Sequence, residues 1–492
     1  MGEYTANTPV LVGVAAVQQK IDDYQRALEP IALMEQALRD AAVDAGCPQL
    51  LRQADEIMVP KSLWGYSDPG RLLADAVGAT TARTLLAELG ILQQSLLSRA
   101  CQRIMAGDSQ IVLVTGGEAK YRALCAEKAG QQAVETVQVG VQPDTTLRPE
   151  DEMWSTVETA AGLGMPVGYY AILDSALRCK QGLGVEQHRD QMAIMYSRLS
   201  ELAADNPDAW ADQAVSEDHI REHSATNRML AFPYTKLHNS QWNVDQAAGL
   251  ILCSAGVAES LGIERGRWIF PRAFTESNFM SVVSSRKDLG TSPGFRIAGQ
   301  VATQLAGVNF NDIRLCELYS CFPYAVRVQL HEFGMDPLRN VSVTGGMTFG
   351  GGPLNNFSFQ ATVRMAQLLR QNPQEVGLVT AVSGFLTKQA CALWSATPGV
   401  DGWACADVTD EVRAQSELCE LVAGYSGAGV VAGYTVLYRG MDPWRAVAVF
   451  DLPDGNRTVA YSEEPTLMQH MMVAECCGER YHISDGQFYQ PH

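Results

Sequence analysis

The feature that most constrains this chain is a helix–turn–strand layout that occurs twice. Residues 99–115 (RACQRIMAGDSQIVLVT) and 364–380 (RMAQLLRQNPQEVGLVT) align without a gap and both end in Leu-Val-Thr. Few identities match, but the surrounding elements repeat in the same order, so duplication of a whole βα unit explains the pair better than chance. From the N-terminus, short apolar runs alternate with amphipathic ones: LVGVAAV, IALMEQALRDAAVDAG, DEIMVP, GRLLADAVG, ARTLLAEL, LLSRACQRIMAGD and QIVLVTGGE. Buried strands separated by helices predict an α/β fold whose helices cover the sheet. Gly46 and Gly107 read as helix stops.

At 492 residues the chain exceeds one hydrophobic core, and 47% hydrophobic against 19% charged residues supplies material for several. We divide it into a first half (1–117 and 244–270), an inserted region (118–243), a second half (271–397) and a small β domain (415–492). The insert is rich in Trp, Met, Asn and Pro; so long an excursion is expected to be a ligand lid. Past Pro398, GYTVLYR, RAVAVFDL and RTVAYS are β-rich and joined by turn signals such as Asp454-Gly455, the texture of an OB-like barrel.

The net charge of −18, with no basic run to offset it, argues against nucleic acid and against an anionic membrane surface. The opening MGEYTANTPVLVGVAAVQQK reads as a strand rather than a signal peptide, and no apolar run reaches membrane-spanning length. The twelve cysteines form no C-x-x-C pair and the eight histidines show no metal-ligand spacing. Free buried thiols in a cytoplasmic protein, with no metal, are the expectation.

Four segments carry a family resemblance. LCELYSCFPYAVRVQLHEFG (315–334) resembles the E-L-H-D-C-F segment of sterol-carrier-protein-type thiolases. VSVTGGMTFGGGPLNN (341–356) resembles their S-G-G-x-x-x-x-G-H-P-L-G-A loop. GLVTAVSGFLTK (377–388) sits where thiolases carry L-C-x-G-G, and WNVDQAAGLILCS (242–254) is similar to the S-D-G-A-A strand ending the first half. The strings Leu318–Pro323, Asn227–Lys236 and Thr344–Asn356 resemble those of thiolase-like proteins of type 1, often labelled acetyl-CoA acetyltransferases. The resemblance covers essentially the whole chain. It implies a duplicated five-layer α-β-α-β-α thiolase fold with an inserted loop domain and a C-terminal OB-like barrel. It also implies an acyl-CoA ligand, no covalently bound cofactor, a place in lipid metabolism, and a monomer or homodimer.

The same resemblance implies that the thiolase side chains are gone. Counting back from the turn Ala106–Asp108 places Gly90 where the nucleophilic cysteine stands, and Cys101 reads as a core thiol. Gly352 replaces the histidine of G-H-P, Tyr319 that of H-D-C-F, and the C-x-G cysteine falls at or beside Val382. Cys321 survives and has two readings: by resemblance an acid/base, or, between Ser320 and Phe322 at a strand end, a packing residue. Tyr319 has two readings: a phenol that donates to a carbonyl or transfers a proton, as in thiolase-like steroid side-chain aldolases, or a filler of vacated space. Gly90, Gly351, Gly352, Ser383 and Gly384 are expected to line the substrate cavity, with Asn355 and Asn356 orienting a carbonyl or simply forming a turn. Arg178, Arg228 and Lys236 are expected to meet the phosphates of CoA, and His223 and His238 to be structural. Two functions follow: C–C bond chemistry on a (hydroxy)acyl-CoA through Tyr319, or a non-catalytic acyl-CoA-binding or assembly subunit.

Overall fold

The computed structural model describes residues 3–150, 153–400 and 402–490. In the first sheet the strand Asp245–Ser254, buried at every position, runs antiparallel to both Pro9–Gln18 and Ile111–Ala119. Glu56–Pro60, Arg83–Ala87 and Thr145–Leu147 continue the sheet in parallel. Burial on both faces is why these strands read as unbroken apolar runs. The helix Pro30–Asp44 settles on the outer face over two glycines. A Cβ at Gly249 would stand 2.5 Å from the Ala37 carbonyl oxygen, and one at Gly13 only 2.3 Å from that of Ala41.

The second sheet is ordered Leu315–Glu317, Val376–Ser383, Lys388–Ser395, Phe270–Ser277, Ala404–Asp407, with the helix Pro293–Ala306 outside it. Helices Gln93–Ala106 and Phe357–Gln371 fill the space between the sheets. Their Leu96, Leu97, Ala100, Phe359, Val363 and Met365 share one core with Leu250 of the first sheet and Val379 of the second. The order is helix, sheet, helix, sheet, helix. The duplicated segments 99–115 and 364–380 are thus the two central helices running into equivalent strands. Gly46 and Gly107 take left-handed φ of +66° and +77° and end their helices.

At the C-terminal end, Gly427–Arg439 pairs with both Asp442–Asp451 and Arg480–Ser484. Arg457–Ser462 and Gln487–Tyr489 complete a closed five-stranded barrel. Two short strands of the 118–243 segment, Met229–Ala231 and Tyr234–Thr235, add to it, with Phe232 N donating to Val436 O at 2.8 Å. No helix among the described residues is long and apolar enough to cross a membrane, and all twelve cysteines are free thiols.

Candidate functional site

The chain leaving the strand Leu315–Glu317 is pinned residue by residue. Glu317, fully buried, accepts from Val343 N and Thr344 N at 2.8 Å each and from Ser342 Oγ, so the loop at 341–346 folds round its carboxylate. Burial outweighs those donors and pushes this carboxyl up to about 7. Tyr319 N donates to Thr380 Oγ1 at 2.8 Å and Tyr319 O accepts from Gln329 Nε2 at 3.0 Å. Thr380 Oγ1 in turn donates to Gln329 Oε1 at 2.6 Å. The threonine of the second Leu-Val-Thr is therefore the residue that fixes Tyr319.

The Tyr319 ring stands edge-on to Phe357, centroids 5.8 Å apart. Its hydroxyl has no hydrogen-bond partner among the described residues, although the residue is only 8% exposed. Burial pushes the phenol far up, so it is a hydrogen-bond donor and not a base at neutral pH. Cys321 is likewise buried, and burial pushes its thiol up to about 12 although the neighbouring Tyr170 hydroxyl opposes the rise. A thiol in that state is a poor nucleophile. The carbonyl of Cys321 accepts from Ser240 Oγ at 3.0 Å.

The inserted region closes this site with aromatic rings. Phe322 stacks on Tyr170 at 4.4 Å and lies parallel to Tyr234 at 6.2 Å. In the hairpin loop, Gly384, Phe385 and Leu386 all adopt left-handed φ of 61°, 52° and 61°. Such a conformation costs a non-glycine residue ~1 kcal/mol or more and persists only when its surroundings impose it. Here Phe385 stacks on Tyr169 at 4.6 Å and meets Trp154 edge-on at 4.8 Å, while Arg286 donates to its carbonyl at 2.7 Å. His238 is buried at the foot of the same region, edge-on to Tyr196. Its Nδ1 accepts from Thr235 N at 3.2 Å, which places the ring proton on a buried, unpartnered Nε2. Burial pushes this imidazole down to about 3, so it stays neutral. Sequence reading missed Tyr170; the available signal was two adjacent tyrosines in the first turns of the helix Pro166–Lys180.

The expected glycines are present, but protein fills the space beside them. Gly90 sits at φ +99° in the turn between Arg83–Ala87 and Gln93–Ala106, and a Cβ there would stand 3.0 Å from the Pro149 ring. At Gly351 a Cβ would collide with the Gln246 side chain. At Gly352 it would press on Ser240 Cβ at 3.1 Å and on the Met347 carbonyl at 3.3 Å. Restoring the histidine as Gly352→His is therefore expected to lower stability by about 1–3 kcal/mol, as overpacking does. A thermal melt reads the loss; an unchanged midpoint would show room that these distances deny. Asn355 Nδ2 donates to Lys61 O at 2.6 Å, while Asn356, 1% exposed, has no partner for either side-chain atom. Ser383 and Gly384 are half-buried at the start of the strained hairpin loop. Cys101 is fully buried and burial pushes its thiol well up, a core residue.

One member of the basic trio, Arg178, is corrected. Arg178 is 1% exposed, with Nε on Glu475 Oε2 at 2.8 Å and a second nitrogen on Tyr434 Oη at 2.6 Å, so it fastens the barrel to the insert and is shut off from any phosphate. Arg228 and Lys236 are exposed neighbours, joined by Lys236 N donating to Arg228 O at 2.8 Å. The Asn227–Lys236 string serves barrel docking as well. Two cavities, of about 420 and 1030 Å³, lie elsewhere. The smaller is lined by Arg286, Lys287, Thr387 and Gln389 among others, the larger by Met195, Leu199, Leu330 and Met335 among others. Neither includes Tyr319 or Cys321.

With two similar halves packed as five layers, an insert packed on the second half and a closed barrel at the end, the architecture can be matched to solved structures. A monomeric SCP2-thiolase-like protein type 1 from Mycobacterium smegmatis superposes over 100% of both chains, with a TM-score of 0.82 and 24% identity. The chain has the thiolase fold. An Ltp2–ChsH2(DUF35) aldolase also shares this thiolase fold over 78% of this chain and 97% of its own, with a TM-score of 0.59 and 15% identity. Among curated proteins, an acetyl-CoA acetyltransferase of Methanocaldococcus jannaschii is 23% identical over 313 residues, 61% of this chain and 72% of the relative. No family model matches.

Proposed function

We propose that this thiolase-fold protein binds an acyl-CoA and makes or breaks a carbon–carbon bond of a hydroxyacyl-CoA, with no acyl-cysteine formed. The observation that carries this reading is the Tyr319 phenol: anchored by its backbone, kept protonated by burial, and lacking a partner for its hydroxyl. In the cleavage direction the β-hydroxyl loses a proton, the Cα–Cβ electrons pass to the thioester oxygen as an enolate, and a carbonyl compound leaves. A donor fixed at that oxygen stabilises the developing charge. The hydroxyl proton is released to solvent water. Cys321, a neutral thiol two residues from Tyr319, is assigned delivery of a proton to the α-carbon, and the sulfur regains its proton from solvent, so no net proton is gained or lost. Asn355, Asn356, Ser383 and Gly384 are assigned to the acyl end, and Arg228 and Lys236 to the CoA phosphates. The reaction needs no cofactor bound to the protein, and we place it in cytoplasmic lipid metabolism. The aldolase and the acetyl-CoA acetyltransferase among the similar proteins support this chemistry.

A monomer is the favoured state. Thr145–Leu147 pairs with Arg83–Ala87 and covers the free edge of that strand, with Thr84 N donating to Asp144 Oδ2 at 2.8 Å beside it. An edge already paired within the chain is no template for a second copy. One observation favours a second reading, a non-catalytic acyl-CoA-binding subunit: Tyr319 and Cys321 are both protonated at neutral pH, so neither takes a proton from a substrate. Incubation with β-hydroxyacyl-CoA thioesters of graded length separates the two. Release of a shorter acyl-CoA and a carbonyl product supports C–C chemistry, whereas calorimetric binding without product supports the subunit.

A further inference from the structure

The helix Pro166–Lys180, which delivers Tyr169 and Tyr170 to the site, ends against the C-terminal barrel. Cys179 is exposed in its last turn, and opposite it stands Cys477, half-buried in the loop after the barrel helix. The two sulfurs and a Glu475 carboxylate oxygen lie within 4.8 Å of one another. Cys477 Sγ is held in place over the Ser175 carbonyl at 3.7 Å and the Ala432 carbonyl at 3.8 Å.

The neighbouring Cys477 sulfur leads the causes that bring the Cys179 thiol down to about 7; burial and Glu475 oppose it, and the Arg178 guanidinium helps. The nearness of Cys179, together with burial, pushes the Cys477 thiol well up. The pair thus combines an exposed sulfur whose thiol is lowered with a fixed neighbouring thiol within 4.8 Å, the environment in which thiol oxidation ends in a disulfide. Three donors within reach of one another also describe a cation site. Here, however, Glu475 is already ion-paired with Arg178 at 2.8 Å, and that guanidinium would repel an incoming metal ion.

We infer that Cys179 and Cys477 are a reversible redox pair that a hydroperoxide closes into a disulfide between the inserted region and the C-terminal barrel. The Cys179 thiolate attacks the peroxide oxygen, the O–O bond breaks, and Cys179 becomes a sulfenic acid as hydroxide (or alkoxide) leaves. The Cys477 sulfur then displaces the sulfenic oxygen as water. In sum, two thiols and one hydrogen peroxide give one disulfide and two waters. The bond would tie the helix that carries Tyr170 to the barrel, away from Tyr319 and Cys321.

The test treats the full-length, metal-free protein with hydrogen peroxide at neutral pH, caps remaining thiols with iodoacetamide, and maps the peptides. A Cys179–Cys477 linked peptide is expected, reversed by dithiothreitol, while exposed Cys405 is simply alkylated. In Cys477→Ala the linked peptide disappears, Cys179 proceeds to sulfinic acid, and the pH midpoint of its alkylation moves up toward the ordinary thiol value of about 8.5. Sulfinic Cys179 in the unaltered protein without any linked peptide would overturn the proposal. So would purified protein carrying one equivalent of zinc that Cys179→Ser loses.

Discussion

Tyr319→Phe is expected to lower turnover of a cleaved β-hydroxyacyl-CoA by about 10²–10³-fold, the usual cost of removing one donor from an oxyanion site. CoA affinity and the thermal midpoint should scarcely move. The hydroxyl bonds no protein group among the described residues, and the backbone bonds to Thr380 and Gln329 survive the substitution. That separation distinguishes a catalytic phenol from one that fills space: a filler would change neither rate nor binding. Because burial keeps the phenol protonated, the rate should show no loss of Tyr319 function between pH 6 and 9. Tyr319→Phe with full activity would remove the residue from the chemistry.

The second large effect concerns stability. Asp174 is fully buried in the insert. It accepts from Tyr234 Oη at 2.7 Å, pairs with Arg327, and lies 3.1 Å from His188 Nε2. Arg327 also donates to Gln181 Oε1 at 2.5 Å. Arg327→Ala leaves a buried carboxylate without its main partner, and stranding a charge in this way costs about 3–5 kcal/mol. Differential scanning calorimetry of the variant should show a large fall in thermal midpoint; a fall within the noise would mean the pair contributes nothing.

The same network predicts acid sensitivity, and the sign follows from each group. Burial alone would raise the Asp174 carboxyl, but Arg327 and His188 outweigh it and hold it below the usual range. Its contribution is present above the unfolded value of about 3.9 and lost as pH falls. Burial pushes His188 down to about 4, so the unfolded chain alone takes up its proton from about 6.5 downward. Both terms weaken the fold on the acid side. Glu317, raised to about 7, acts the other way and loses its contribution as pH rises through that value.

The layered fold was legible because its signals are local. Gly107 ends a helix by its own φ, and the two Leu-Val-Thr strands are apolar in sequence and buried in fact. The site was legible in part. Tyr319 and Cys321 are both buried in the segment that follows the strand Leu315–Glu317. What was not legible is which group fills a given space. A glycine reads the same whether a ligand or the protein approaches it, and at Gly351 and Gly352 the neighbours are Gln246 and Ser240. Arg178 failed for a related reason. Its partners Glu475 and Tyr434 are about 250–300 positions away, so nothing near it in sequence marks it as a docking residue.

The proposed chemistry passes through no acyl-cysteine. Intact-mass analysis after incubation with acetoacetyl-CoA, with and without free CoA, tests it most directly. Unmodified protein is expected, with no acetyl-CoA released above the uncatalysed background. An acetyl group trapped on a cysteine, with acetyl-CoA formed when CoA is added, would contradict it.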